Sequence, residues 1–291
     1  MQREISLTLC EDMIREGSST FYKAFSFLPS PRKEAVYVIY AFCRMIDDAV
    51  DEPEKAFYTI DELEFHLHHL EQAEGHFIFT ALRWLFDQFP NLGKEPFFKQ
   101  MEGQRRDLVR SHYDTMEQLE EYCYLVAGTV GEMLLPVLHD SPTEDITNSG
   151  IYLGKAMQIV NIVRDIGEDR ARGRRYVPLE LMKKHGYSES AFAEGDINPA
   201  FIHLIHELEG LAKHWFELGL RDLDSYPSRS AFSIELAAKF YGAILDAVKD
   251  NQYRVFTDRA YVTGMKKAAI LTTVTHRFGI SMLKQESSAV S

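Results

Sequence analysis

The feature that most constrains the fold is a stripe of polar side chains inside an apolar helical run, residues 158–169. Asn161, Asp165 and Asp169 recur every four residues, and Gln158 precedes them by three. Side chains three and four residues apart share one face of an α-helix, so these oxygen-bearing groups lie along one line. A buried polar group without a partner costs about 1–3 kcal/mol. An amide network could satisfy Gln158 and Asn161 but would not explain the carboxylates, so the stripe predicts a helix that binds a cation inside the protein.

An acidic cluster at residues 47–51 ends an earlier helical segment. We call it the first stripe, and the polar stripe over residues 158–169 the second stripe. Asp47 and Asp51 share a helix face with Asp48 beside them, and Arg44 and Tyr40 continue that face one and two turns earlier. A solvated acidic helix end would carry the same pattern, but the apolar residues around it favour a buried helix. Mg²⁺ prefers oxygen ligands and commonly joins carboxylates to substrate phosphates. Two oxygen-rich faces therefore predict about two or three magnesium ions that hold a diphosphate between two helices.

Helical periodicity extends along most of the chain, while the alternation typical of β-strands is almost absent. We predict an all-α, single-domain helical bundle over residues 1–284 and a polar, disordered tail over 285–291. One helix is expected to start at Ser30-Pro31, with the serine capping its free amides, and to end before Pro53. The other predicted helices cover residues 61–73, 77–89, 94–110, 116–138, 144–169, 199–224, 230–250 and 259–278.

Two glycines interrupt the apolar run over residues 116–138. Gly128 and Gly131 each cost about 1 kcal/mol relative to alanine in a helix. They indicate close helix packing, a kink or room for a ligand, and Pro136 independently favours a kink.

Basic side chains near the two clusters are candidates for binding a diphosphate. Arginine suits phosphate oxygens because its guanidinium presents a planar fork of donors. Arg44 and Arg164 each lie within one turn of a cluster. Further candidates that follow the second stripe are Arg175, Arg259, Lys266 and Lys267.

Composition argues against several other classes of protein. The formal net charge of -12 leaves no basic excess to neutralise phosphates, so nucleic acid is not expected as a partner. The Glu-x-x-His pairs of di-iron bundles do not occur, and the histidines at 66, 68 and 69 lack accompanying zinc ligands. Three cysteines without metal-site spacing indicate buried thiols in a reducing compartment. We find no secretory signal and no apolar run of the ~20 residues that span a bilayer. We therefore expect a cytoplasmic protein without an obligate protein partner, and transient association with the inner membrane face stays open.

Three segments, in this order, resemble the squalene/phytoene synthase family. They are YAFCRMIDDAVDE at residues 40–52, YCYLVAGTVGEM at 122–133 and MQIVNIVRDIGEDRARGRRYVP at 157–178. The resemblance covers roughly residues 17–280 and implies an isoprenoid-synthase fold with a central cavity. It also implies a magnesium-dependent prenyltransferase. Such an enzyme condenses two prenyl diphosphates head to head (1′-1) through presqualene diphosphate, a cyclopropylcarbinyl diphosphate, or its longer homologue.

The same resemblance implies roles for individual residues. The implied metal ligands are Asp47, Asp48, Asp51, Asn161, Asp165 and Asp169. The implied catalytic residues are Asp47, Asp51, Asp165, Asp169, Tyr124 and Tyr241. The implied substrate-binding residues are Ser18, Thr20, Phe21, Tyr40, Arg44, Gln158, Asn161, Arg164, Tyr176 and Arg259. Thr20 departs from the family pattern, in which a serine is more usual.

The choice of substrate within the family depends on the cavity wall. The GTVGEM block is more similar to bacterial carotenoid-pathway members. Phe25 and Tyr37 are bulky residues that favour the shorter prenyl substrate, although core packing explains both equally well. We expect dehydrosqualene (4,4′-diapophytoene) from farnesyl diphosphate, without NADPH. The alternatives are phytoene from geranylgeranyl diphosphate and NADPH-dependent squalene formation. A head-to-tail synthase or terpene cyclase would also bind magnesium through carboxylates. Such an enzyme is expected to carry other motifs around residues 122–133 and 164–178. A non-enzymatic assembly factor would have lost one cluster.

Overall fold

The computed structural model describes the backbone of residues 1–288 and the side chains through residue 279. Over that range the chain is helical and forms no strand, which confirms the predicted all-α fold. The α-helices are α1 (Gln2–Gly17), α2 (Ser19–Phe25), α3 (Arg32–Asp51), α4 (Ile60–His68), α5 (Phe77–Gln88), α6 (Glu95–Val109), α7 (Met116–Cys123), α8 (Thr129–Leu138), α9 (Glu144–Ala171), α10 (Leu179–His185), α11 (Glu189–Glu194), α12 (Pro199–Leu220), α13 (Ser228–Asp250) and α14 (Gly264–Ser288).

Helix α9 is the centre of the bundle. Its 28 residues give a length of about 42 Å at 1.5 Å per residue. It packs against α7, α8, α12 and α13, and apolar side chains such as Ile159 and Val163 are fully buried in these contacts. Because neighbours surround the helix, its polar stripe has to face an internal space rather than solvent.

Most predicted helices occur within a few residues of their predicted bounds. The helix predicted from Ser30-Pro31 begins at Arg32, with Pro31 at the cap position and no side-chain cap, so the predicted serine cap is wrong. Helices α2, α10 and α11 are too short to show a helical period in the sequence. Helix α14 continues through Ser288, and residues 289–291 of the predicted tail lie outside the described residues.

A π-helical segment, Tyr124–Gly128, connects α7 and α8 where a continuous helix is predicted. A Cβ atom on Gly131 would lie 2.2 Å from the carbonyl oxygen of Gly150, and one on Gly154 would lie 2.0 Å from that of Ala127. These distances leave no space for a side chain, so the backbones of this region and of α9 touch directly. Close helix packing, one of the three alternatives raised by the glycines, is therefore confirmed.

Two further expectations concern burial and membranes. Cys10, Cys43 and Cys123 are free thiols and all are buried, as predicted. Within residues 1–288, no helix combines the length and the apolar character needed to cross a membrane.

Candidate active site

A cavity of about 460 Å³ lies between α2, α3, α6, α8, α9 and α13. Its volume is in the range of small-molecule sites. The predicted site residues that line it are Ser18, Phe21, Tyr40, Arg44, Asp47, Asp51, Gln158, Asn161, Arg164, Asp165, Asp169, Tyr176, Tyr241 and Arg259. The fold therefore brings both acidic stripes to one internal space.

The cavity has two chemically different ends. Helix α3 lines it from Val36 to Asp51, a rise of about 22 Å, and α9 lines it from Gly150 to Asp169. Both helices carry their carboxylates in the last turns. We call Asp47, Asp51, Asp107, Asp165, Glu168 and Asp169 the carboxylate end. We call Phe25, Val36, Leu134, Leu135, Leu138, Leu153 and Ile234 the apolar end.

Two buried carboxylates at the carboxylate end ionise less readily than usual in the free protein. The pKa of Asp47 is raised to about 7, chiefly by burial, and the neighbouring Asp51 adds to the effect while Arg44 opposes it. Burial also raises the pKa of Asp169 to about 7, with the charge of Asp165 contributing. A cation bound between these groups would offset both effects. The electrostatics of this end therefore fit a divalent ion.

Unpaired oxygens at the same end support this fit. Within the described part of the chain, Oδ1 of Asn161 and Oδ1 of Asp107 are buried without a hydrogen-bond partner, although Nδ2 of Asn161 donates to Gln158 at 3.4 Å. No three acidic, histidine or cysteine side chains among residues 1–279 converge into a closed metal site. Mg²⁺ is usually held by one or two carboxylates plus substrate phosphates rather than by an all-protein cage. The donor set therefore fits magnesium that enters together with a diphosphate.

Arginines line the carboxylate end beside the acidic groups. Nε of Arg164 donates to Oδ1 of Asp165 at 2.7 Å, and Nε of Arg259 lies 3.3 Å from the same oxygen. Arg259 also reaches Glu168 at 3.0 Å. The second stripe is thus paired with two guanidiniums, both predicted from the sequence.

The first stripe is paired with arginines that the sequence interpretation missed. Arg172 and Arg174 donate to the two carboxylate oxygens of Asp51 at 2.9 and 2.7 Å. Arg175, the candidate named from the sequence, is instead buried and donates to the backbone carbonyl of Tyr113 at 3.0 Å. The pattern RARGRR shows that a basic loop is present, but it carries no period that says which arginine faces inward.

Helix α6 contributes polar groups that the sequence interpretation also missed. Asp107 accepts hydrogen bonds from the hydroxyls of Tyr122 and Tyr176, both at 2.8 Å, and Gln104 donates to Asp47. The spacing of Gln100, Gln104 and Asp107 at four and three residues was the available signal. These side chains connect α6 to the first stripe, to α7 and to the loop after α9.

Three predicted site residues are not among the described side chains that line the cavity: Asp48, Thr20 and Tyr124. The hydroxyl of Tyr124 lies 3.0 Å from Nζ of Lys99 and 3.3 Å from Glu132. Asp48 forms an ion pair with Arg44, one turn earlier, at 2.7 Å. Thr20 accepts a hydrogen bond from Lys267 of α14 at 3.0 Å. These three side chains therefore contact other residues, and their predicted roles in the site remain predictions.

Known proteins resemble this chain in sequence and in fold. Residues 14–266 match the family described as squalene/phytoene synthase. The chain is 34% identical to a 15-cis-phytoene synthase from Synechocystis over 92% of its length and 84% of that protein. It is 33% identical to a chloroplastic phytoene synthase 2 from rice (Oryza sativa subsp. japonica), over 94% of its length and 70% of that protein. A dehydrosqualene synthase crystal structure superposes with a TM-score of 0.88 at 33% identity, covering 97% of this chain and 98% of the other. The chain belongs to the squalene/phytoene synthase family.

Proposed function

We propose that this chain is a magnesium-dependent prenyltransferase that joins two farnesyl diphosphates 1′-1, through presqualene diphosphate, to dehydrosqualene with release of both diphosphates and two protons. The observation that carries the proposal is the cavity, which connects a carboxylate end to an apolar end along α3 and α9. A prenyl diphosphate has the same division into an ionic head and an apolar tail.

The carboxylate end would receive the diphosphates. Magnesium held there would neutralise their charge and weaken the bond to the allylic carbon. Arg164 and Arg259, already gathered around Asp165, are placed to stabilise the negative charge of the departing group. Burial raises the pKa of Tyr241, so its hydroxyl keeps its proton and can donate a hydrogen bond beside these arginines.

The apolar end would hold the prenyl chains and exclude water, which would otherwise quench allylic cations. Phe25 lines this end and is 3% exposed. Tyr37 is not among the lining residues and packs its ring 5.7 Å from that of Tyr22, so it belongs to the core. Of the two bulky residues considered from the sequence, only Phe25 supports a short chain. The superposition on a dehydrosqualene synthase supports the same choice.

Phytoene formation from geranylgeranyl diphosphate is the second candidate. It is favoured by relatives over most of the chain that are named phytoene synthases. The reaction type and the carboxylate end would be the same for both substrates. The difference depends on how much chain the apolar end accommodates.

The test is a competition between farnesyl and geranylgeranyl diphosphate, with hydrocarbons identified by mass. Dehydrosqualene is expected with magnesium and no NADPH, and phytoene as the main product would select the second candidate. Squalene formed only with NADPH would overturn the proposed product. Isopentenyl diphosphate is offered in parallel, because a longer linear diphosphate would indicate head-to-tail elongation and refute the 1′-1 reaction.

A further inference from the structure

The basic loop after α9 joins the ends of the two stripes. Asp51, the last carboxylate of the first stripe, accepts one hydrogen bond on each oxygen, from Arg172 at 2.9 Å and from Arg174 at 2.7 Å. The backbone amides of these two arginines donate to the carbonyl oxygen of Asp169, the last residue of the second stripe, at 3.1 and 2.8 Å. Two guanidiniums therefore occupy the carboxylate oxygens on which a cation is expected.

The base of this loop is fixed, whereas the guanidiniums of Arg172 and Arg174 are held by their ion pairs with Asp51. The backbone amide of Arg175 donates to Ser111 at 2.7 Å, and the hydroxyl of Tyr176 donates to Asp107 at 2.8 Å. In these ion pairs the side chain of Arg172 is 45% exposed and that of Arg174 is 14% exposed. Long, partly solvated side chains can leave such a pair without any movement of the backbone.

The charges around the cavity indicate how such a movement of the arginines would affect the binding of a cation and a diphosphate. Among the described lining residues, six carboxylates face five guanidiniums. A cation that arrives alone has to displace arginines from Asp51, and a diphosphate that arrives alone meets carboxylates. When both enter together, each finds a partner, because the displaced guanidiniums are strong diphosphate ligands.

We propose that Arg172 and Arg174 are exchangeable counter-ions of Asp51. They neutralise this carboxylate in the free protein and turn to the diphosphate when magnesium takes their place. The proposal rests on the magnesium-dependent function proposed above. Its consequence is a reciprocal coupling, in which diphosphate raises the affinity for magnesium and magnesium raises the affinity for diphosphate by the same factor.

The test uses calorimetric titration of the full chain with magnesium chloride alone, and with inorganic pyrophosphate in the presence of magnesium. The variants are Arg172→Gln and Arg174→Gln. The matched control is Arg170→Gln, which removes the same charge from the same region. Arg170 donates to the carbonyl of Ala193 at 3.0 Å and lies over the ring of Phe256.

Removal of either arginine from Asp51 is expected to tighten magnesium binding by about twofold to fivefold, because a competing ion pair is lost. The same variants should bind pyrophosphate more weakly, so that the coupling factor shrinks, while Arg170→Gln keeps both affinities near those of the unmodified protein. Circular dichroism checks that each variant is folded.

Three outcomes would overturn the exchange. Folded variants that bind magnesium no more tightly than the unmodified protein would show that the arginines do not compete. An equal gain in Arg170→Gln would show a general effect of charge. If the unmodified protein binds no magnesium even with pyrophosphate, the exchange and the proposed function fail together. Magnesium-dependent turnover combined with either of the first two outcomes would refute the exchange alone.

Discussion

The two ends of the cavity hold their side chains by different forces. At the carboxylate end, acidic groups from α3, α6 and α9 are paired with arginines, amides and tyrosine hydroxyls, and burial raises the pKa of Asp47 and Asp169. At the apolar end, Phe25 and Leu138 are 3% and 4% exposed and are held by close packing. Ionised carboxylates cost stability where they are buried, whereas packed apolar side chains contribute to it. At the carboxylate end the groups proposed to act in the reaction therefore lower stability. At the apolar end the groups proposed to hold the substrate also raise stability.

The largest effect is expected at the carboxylate end. Asp47→Asn should lower magnesium-dependent product formation by about 10²–10³-fold, because a carboxylate that helps to hold the diphosphate charge is lost. The same change should leave the fold intact and raise the thermal stability of the magnesium-free protein above pH 7, where the buried carboxylate is ionised. Product formation and thermal unfolding are measured on the same preparation.

The matched control is Asp48→Asn, which removes the same charge from the next residue. Asp48 pairs with Arg44 and is not among the lining residues, so a much smaller loss of activity is expected. Equal losses in the two variants would show that position along the cavity does not determine the role of these carboxylates.

The two ends also differ in how far they can be predicted from sequence. The second stripe repeats every four residues on one long helix, so its common face follows from local geometry alone. The spacing on α6 places Asp107 on one face with Gln104, but it does not show that α6 packs against α3. Arg174 joins the site only because the loop after α9 folds against α3, and no local pattern selects it. At the apolar end, Phe25 and Tyr37 look alike in sequence. Only packing shows that the first lines the cavity and the second does not.

A tenfold effect is expected at the apolar end, on substrate choice. Phe25→Ala should raise the kcat/KM for geranylgeranyl diphosphate relative to that for farnesyl diphosphate by about tenfold. Removing the ring enlarges the pocket, and a size difference of this kind changes discrimination between substrates by roughly 1–3 kcal/mol. The same change should also lower the free energy of unfolding by about 3–5 kcal/mol. The control, Tyr37→Phe, should leave the ratio unchanged, and a shift of the same size there would contradict the assignment of Phe25 to the wall.

A smaller effect is expected on stability as a function of pH. The folded pKa values of Asp47 and Asp169 are about 7, above the usual aspartate value of 3.8. Between these limits the folded protein binds more protons than the unfolded chain, so the stability that protonation provides is complete near pH 4 and is lost as pH rises to about 7. Denaturant unfolding in a chelator should show this fall, and magnesium with pyrophosphate should reduce it. If the free energy of unfolding of Asp47→Asn changed with pH as steeply as that of the unmodified protein, the raised pKa assigned to Asp47 would be contradicted.

The smallest effect is expected at Tyr124, which belongs to neither end. Its hydroxyl contacts Lys99 and Glu132 rather than the cavity, so Tyr124→Phe should change kcat by less than about threefold, the loss of an ordinary hydrogen bond outside the site. Tyr241→Phe provides the comparison, because Tyr241 lines the cavity and a loss of about tenfold is expected when its donor is removed. Steady-state rates with farnesyl diphosphate distinguish the two. A larger loss in Tyr124→Phe than in Tyr241→Phe would show that the catalytic tyrosine lies on the π-helical segment. The carboxylate end would then have to include side chains next to α8.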